Sequence, residues 1–234
     1  MPTSLSLKNA KISKSNPTSN HKARATMHKL FALMGLIFSL NAFAADYLEG
    51  QHYSLLSNPV PVADKSKVEV VELFSYHCGA CYHFEPIIQP WKAKQADDVI
   101  IKQMPAFWNP QLEPWVRGYY TAVVLGIIDK THMPVFNSFM QKKQFNTVDE
   151  WADFYANFGK SRDEIVKAYN SFGVTSYATQ AKNRLMNNYK AEATPEVYVQ
   201  GKYRIHINDY VKTQEDMLKV VDFLIAEERK NLKK

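Results

Sequence analysis

Phe74-Ser75-Tyr76-His77-Cys78-Gly79-Ala80-Cys81-Tyr82-His83-Phe84-Glu85-Pro86 decides how the rest of the 234-residue chain is read. It holds both cysteines of the sequence, spaced Cys-x-x-Cys, and follows directly on Val68-Glu69-Val70-Val71-Glu72-Leu73-Phe74. That preceding run, rich in β-branched and aromatic residues, predicts a strand. If the strand gives way to a helix at Cys78, the sulfur sits at the helix N-terminus, where unpaired amides and the macrodipole favour an anion and lower the thiol pKa. Cys81 then lies one turn deeper, within reach of Cys78 and shielded from solvent. The pattern points to dithiol–disulfide exchange, with Cys78 attacking and Cys81 resolving. Two other readings of the spacing stay open. His77 and His83 could complete a zinc site, although structural zinc sites draw their second ligand pair from a separate knuckle and none is visible. A purely structural disulfide is the other, although so short a loop removes little denatured-state entropy.

The first 44 residues read as a leader. Lys8, Lys11, Lys14, Lys22, Arg24 and Lys29 stand without any acid, an apolar run spans Leu30 to Leu40, and Ala42-Phe43-Ala44 has the small-x-small form of a cleavage site. Cleavage after Ala44 is expected, and Met27-His28-Lys29 ahead of the apolar run suggests a translation start at Met27. The run is short of the about 20 apolar residues that span a bilayer. All the excess charge lies here: the whole chain carries 29 Lys and Arg against 23 Asp and Glu, and residues 45–234 hold 23 of each. Nothing in that part calls for nucleic acid. With a single cysteine pair it has no disulfide framework, so its stability rests on an ordinary core. At 46% apolar content, about 190 residues supply one.

Outward from the cysteines, Tyr47 to Asp64 reads as an extended approach containing Pro59 and Pro61. A helix follows Cys78 through Tyr82, Phe84, Ile87, Ile88 and Trp91, with a kink expected at Pro86. Val99 to Met104 predicts a second strand, which makes a βαβ unit and puts Cys78 at the carboxyl edge of the first strand. From Asn109 to about Asn188 the spacing of apolar residues is helical. Thr147 with Glu150 and Ser161 with Glu164 have the capping-box spacing. Glu196 to Gln200 and Tyr203 to Ile207, separated by Gly201-Lys202, predict a hairpin. A last helix starts near Thr213, with Met217, Val220, Val221, Leu224 and Ile225 on one face.

That order of elements, with the Phe-Ser-Tyr-x-Cys-x-x-Cys-Tyr-x-Phe-Glu run, Thr194-Pro195 and Val197-Tyr198-Val199-Gln200-Gly201-Lys202-Tyr203, resembles the DsbA-type thiol:disulfide oxidoreductases from about Asp46 to the C-terminus. The resemblance implies an α/β fold, thioredoxin-like with an inserted all-helical domain. On this chain that gives a signal peptide at 1–44, a thioredoxin-like domain at 45–108 and 177–234, and the helical insert at 109–176. It implies a Cys78–Cys81 redox disulfide, a cis proline at Pro195 facing it, and a substrate groove lined by Thr194, Pro195 and His77. It also implies a buried acid at Glu72 with a lysine at Lys102, able to relay the proton of Cys81. Glu69 and Glu72, three positions apart, point to opposite faces of the strand, so at least one is turned inward.

The implied function is donation of the disulfide to reduced, unfolded exported proteins in the periplasm. Reoxidation falls to a DsbB-type membrane quinone oxidoreductase; the protein acts as a monomer and needs no cofactor or metal. Gly79-Ala80 departs from the Pro-His pair common in the family, and neither residue offers a side-chain donor to the attacking sulfur. The expectation is a thiolate less stabilised, and a disulfide less oxidising, than in a Pro-His member, unless His77 compensates. Disulfide isomerase or reductase work stays open on that ground. So does a redox-inactive peptide- or metal-binding module.

Overall fold

The computed structural model describes residues 47–232; the expected leader, its cleavage after Ala44 and a start at Met27 lie outside the described residues. Strand β2 (Val68–Phe74) is buried at every position, because it has a neighbour on each side and helices over both faces. Its register with β3 (Val99–Pro105) is parallel, Val68 opposite Val99 through Phe74 opposite Pro105. On the other side it pairs antiparallel with β4 (Glu196–Val199). Strands β5 (Tyr203–Ile205) and β1 (Ser54–Leu55) complete the mixed sheet β1-β5-β4-β2-β3. The β2-to-β3 connection runs through helix α1 (Gly79–Lys92), which places Cys78 at the carboxyl edge of the central strand. Helix α1 continues through both Pro86 and Pro90 to Lys92.

The alternation of β2 divides the core in two. Val68 and Val70, with Val197 and Val199, face α1 and the last helix, α7 (Gln214–Leu232). Val71, Leu73 and Tyr198 face the opposite way, against Val116 of α2 (Glu113–Val124) and Ala178 and Ala181 of α6 (Phe172–Asn183). Helix α6 runs across residue 176, where the sequence reading places the return from the insert to the frame. Its two buried alanines let it pack closely against α2.

A third cluster joins α2 to α3 (Ile128–Met140), α4 (Val148–Tyr155) and α5 (Arg162–Tyr169) around Trp115, Phe136, Trp151, Tyr155 and Ile165. Phe74, Tyr76 and Cys81 belong to the same cluster, so the core of the helical block is continuous with the Cys-x-x-Cys segment. Both expected capping boxes form: Thr147 and Ser161 each accept from the backbone of a glutamate three residues on, which reaches back to the cap amide. Thr213 and Asp216 make the same reciprocal pair at the start of α7. The β4-to-β5 hairpin turns through Gln200, Gly201 and Lys202, with Gln200 and Gly201 at positive φ and the Lys202 N–H donated to the Val199 carbonyl. Among the described residues, no helix is long and apolar enough to cross a membrane.

Helix α2 meets α4 at Gly118, where a Cβ would stand 2.4 Å from the Trp151 indole. Tyr155 also donates its hydroxyl to the Gly118 carbonyl at 3.0 Å. A Gly118→Ala substitution gains helix propensity yet must push a fully buried tryptophan aside, and overpacking of this kind costs about 1–3 kcal/mol. The expected result is a lower urea midpoint at unchanged m-value; equal or greater stability would show that the α2–α4 contact has slack.

Candidate active site

Cys78 closes the loop after β2 with extended backbone, and its Sγ caps α1 by accepting the Cys81 N–H at 3.2 Å. No acidic residue occupies the first turn of α1, so the sulfur is the group that answers the positive end of the helix. Both cysteines are free thiols here, Cys78 partly exposed and Cys81 buried. Burial separates their acidities. The Cys78 pKa is lowered to about 6, chiefly by the hydrogen bond from the Cys81 thiol, against an opposing effect of burial, and further by the Thr194 side chain and the amides of Cys81 and Ala80. Cys81 is driven far above the ordinary thiol range, first by burial, then by the bond to Cys78 and the charge there. One sulfur is an accessible thiolate at neutral pH; its partner is a protected thiol.

Thr194-Pro195 comes up against this pair. The peptide bond is cis, and as a thiol Cys78 donates to the Thr194 carbonyl at 3.3 Å. Thr194 stays half-exposed while Pro195 is buried. The structure thus brings Cys78, Cys81, Thr194 and Pro195 together. His77 borders them, stacked on Phe139 at 4.4 Å between ring centroids and edge-on to Trp115 at 4.5 Å. Burial lowers its pKa, so at pH 7 the ring is neutral and does not supply the positive charge that Gly79-Ala80 omits. Among the described residues, no group of three or more His, Cys, Asp or Glu is arranged to hold a metal ion.

Glu72 and Lys102, expected together in a buried proton relay, lie on opposite faces of the sheet. In the parallel register Glu72 stands opposite Gln103, and Lys102 stands opposite Val71 on the other face. There Lys102 binds Glu69, and Arg184 approaches the same carboxylate at 3.9 Å. The family position does not determine which way the lysine points; the pleat does.

Glu72, fully buried, belongs instead to a polar cluster that sequence reasoning missed. Gln103 Nε2 donates to Glu72 Oε2 at 2.9 Å and to Glu85 Oε1 at 3.0 Å. Gln89 donates to the other Glu85 oxygen at 2.6 Å, and His132 Nε2 meets Glu85 Oε1 at 2.8 Å. Burial and the nearby Glu85 charge raise the Glu72 pKa to about 8. For Glu85 burial pushes upward too, but the bonds from His132 and Gln89 and the nearby positive groups outweigh it, and the net shift is downward. Two buried carboxylates without an arginine or lysine bonded to them thus divide into one carboxylic acid and one carboxylate. Neither cysteine is hydrogen-bonded to Glu72 among the described residues.

Two outcomes follow from these acidities. Iodoacetamide should label reduced protein at Cys78 alone, with a pH midpoint near 6; a midpoint at the ordinary about 8.5 would show that the helix cap does not hold a thiolate. The raised Glu72 pKa favours folding fully below the ordinary carboxyl value, about 4.3, and that contribution is lost as pH climbs toward 8. Glu72→Gln has no such loss. Its stability relative to wild type should therefore rise between pH 4.5 and 8 by a few kcal/mol and then level off, read by urea denaturation of the oxidised protein; a pH-independent difference would mean Glu72 is ionised in the core.

Comparisons with known proteins agree with this geometry. Residues 63–222 match the family model described as Thioredoxin. The thiol:disulfide interchange protein DsbA of Pseudomonas aeruginosa is 37% identical over 202 residues, covering 86% of this chain and 95% of the relative. The protein of that name from Azotobacter vinelandii is 37% identical over 201 residues, covering 86% and 92%. The crystal structure of P. aeruginosa DsbA superposes with a TM-score of 0.76 at 37% identity, over 82% of this chain and 99% of that one. That of the DsbA oxidoreductase from Xylella fastidiosa gives 0.72 at 30% identity, over 78% and 98%. A five-stranded thioredoxin frame with an inserted helical block, matched along nearly the full length of these relatives, makes this chain a member of the DsbA-type thiol:disulfide oxidoreductases of the thioredoxin superfamily.

Proposed function

We propose that this thiol:disulfide oxidoreductase works as a disulfide donor, with Cys78 and Cys81 as its redox pair. The observation that carries the direction is the opposed acidity of the two sulfurs. In the oxidised enzyme a substrate thiolate attacks the exposed Cys78 Sγ; the Cys78–Cys81 bond breaks, a Cys78–substrate disulfide forms, and Cys81 leaves and takes up a proton. Because Cys81 holds that proton at neutral pH, it does not attack back. A second substrate thiolate then attacks the substrate sulfur, expelling Cys78 as a low-pKa, readily departing thiolate. The substrate gains a disulfide, and its two electrons remain on the reduced pair. Thr194, with its backbone open beside Cys78, offers an extended peptide its polar groups, and Pro195 abuts the sulfurs without an N–H.

In this reading the substrates are reduced, newly exported chains, and the half-exposed rings of His77, Tyr82 and Phe139 give them an apolar, weakly selective rim. The protein works as a periplasmic monomer, delivered by the leader cut after Ala44. Its electrons pass to a DsbB-type quinone-linked membrane protein. The frame is 45–108 with 177–234, and 109–176 is the insert. Of the expected relay, Glu72 stays as the buried acid for the Cys81 proton, while Lys102 drops out of any proton path because it is bonded to Glu69 on the other face.

Equilibrating residues 45–234 against glutathione buffers distinguishes donor from reductase. A potential above about −200 mV, short of the about −120 mV of the strongest donors, is the expected outcome; one near about −270 mV would assign the pair to reduction.

A further inference from the structure

Helix α3 of the inserted block presents His132, Phe136 and Phe139, spaced i, i+4, i+7, to the segment that carries the attacking cysteine. Phe136 packs edge-on against Tyr76 at 4.8 Å, and Phe139 stacks on His77. His132, only 4% exposed, makes the polar contacts. Its Nδ1 lies 2.8 Å from the Tyr76 hydroxyl and its Nε2 2.8 Å from Glu85 of helix α1. Its ring also stands edge-on to Phe74 at 4.9 Å. Both ring nitrogens are thus engaged, each by a different side of the Cys-x-x-Cys segment.

His132 Nε2–H donates to the Glu85 carboxylate, and Nδ1 is bonded to the Tyr76 phenol, which burial keeps neutral. Gln103 Nε2, 3.2 Å from His132 Nε2, has both hydrogens directed to Glu72 and Glu85, so that contact shares no proton. His132 is the polar partner of the Tyr76 hydroxyl.

Tyr76 lies inside the loop whose backbone sets the redox geometry. The Ser75 carbonyl accepts the Cys78 N–H at 3.0 Å, and the Ser75 hydroxyl accepts the His77 N–H at 3.2 Å. Two residues after Tyr76 comes the Cys78 sulfur, whose thiolate depends on alignment with amides at the start of α1. We propose that His132 is a positioning residue of the redox centre: fixed to α1 through Glu85, it holds Tyr76 and so fixes the loop that presents Cys78 to the α1 amides. The insert then sets the acidity of a sulfur to which it makes no hydrogen bond among the described residues. This rests on Cys78 and Cys81 being the redox pair.

Tyr76→Phe deletes one oxygen and leaves the ring packing, and His132→Phe removes both polar contacts while keeping a ring in the cavity. Each, with the double variant and the wild type, is read by the pH profile of Cys78 alkylation and by equilibration with glutathione. The expected result is a raised alkylation midpoint in each variant, with the thiolate fraction at pH 6 reduced about threefold, and a double variant no worse than His132→Phe, since both changes break one link. If His132→Phe does not fold, Tyr76→Phe decides alone. Variants that lose only thermal stability, with alkylation midpoint and glutathione equilibrium at wild-type values, would overturn the proposal and leave His132 a core residue. A wild type that forms no Cys78–Cys81 disulfide in the buffers would overturn the redox assignment and this inference with it.

Discussion

The hydrogen bond from Cys81 N–H to Cys78 Sγ is the interaction on which the rest of the molecule turns, because it is a helix cap and a chemical control at once. A serine or aspartate in this slot would cap α1 as well or better, but a sulfur can leave the role and return to it. Reduced, Cys78 is a thiolate answering the helix N-terminus. Oxidised, the same atom is neutral and bonded to the residue that had been donating to it. Whatever makes the cap strong therefore favours the reduced state and makes the disulfide more willing to be given away. The fold supplies the conditions: a central strand buried at every position, ending at the sheet edge, with a helix starting on its next turn.

Beneath that cap the protein handles two buried acids of one strand in opposite ways. Glu69, on one face of β2, is met by Lys102 and approached by Arg184, both of which reach it from partly exposed positions. Glu72, on the other face, meets a neutral amide and keeps its proton. The difference follows from what covers each face. Glu72 and Glu85 share the space where β2, β3, α1 and α3 converge, and their bonded partners there are Gln103, Gln89 and His132. An imidazole fits there because it carries two hydrogen-bonding nitrogens on one flat ring, and through it the inserted helices are bonded to the segment that carries the chemistry.

Much of this was legible in the residues. The strand before Cys78 is where the apolar run places it, and the caps at Thr147 and Ser161 form with their glutamates as the spacing foretells. Local signals of that kind need no tertiary information. The cis bond at Pro195 had no local signal, and the family resemblance alone supplied it. The misplacement of Lys102 and the silence about His132 share a physical cause: both depend on how distant elements meet. A strand's own alternation tells which residues share a face, but whether Lys102 or Gln103 lies beside Glu72 is set by the parallel register with β3. His132 sits in an apolar helical stripe, and a histidine there looks like any core ring. A polar residue on the buried face of α3 was the available signal; its partners lie 47 and 56 positions away in the sequence.

Gly79 and Ala80 give that long-range geometry its weight. With no side-chain donor between the cysteines and a neutral His77, the Cys78 thiolate is held by groups whose positions are fixed by the fold: two amides, one buried thiol and the Thr194 side chain. A histidine in the motif would add a stabilising group that moves with the helix and tolerates small shifts of the loop. Backbone amides give no such tolerance, since a hydrogen bond weakens steeply with misalignment. The acidity of the attacking sulfur, and with it the willingness of the disulfide to be donated, is here a property of how rigidly residues 74 to 78 are held. Tyr76 and His77 are held by Trp115, Phe136, Phe139 and His132, all contributed by the inserted helices. In a chain with this motif, the helical block is part of the redox centre.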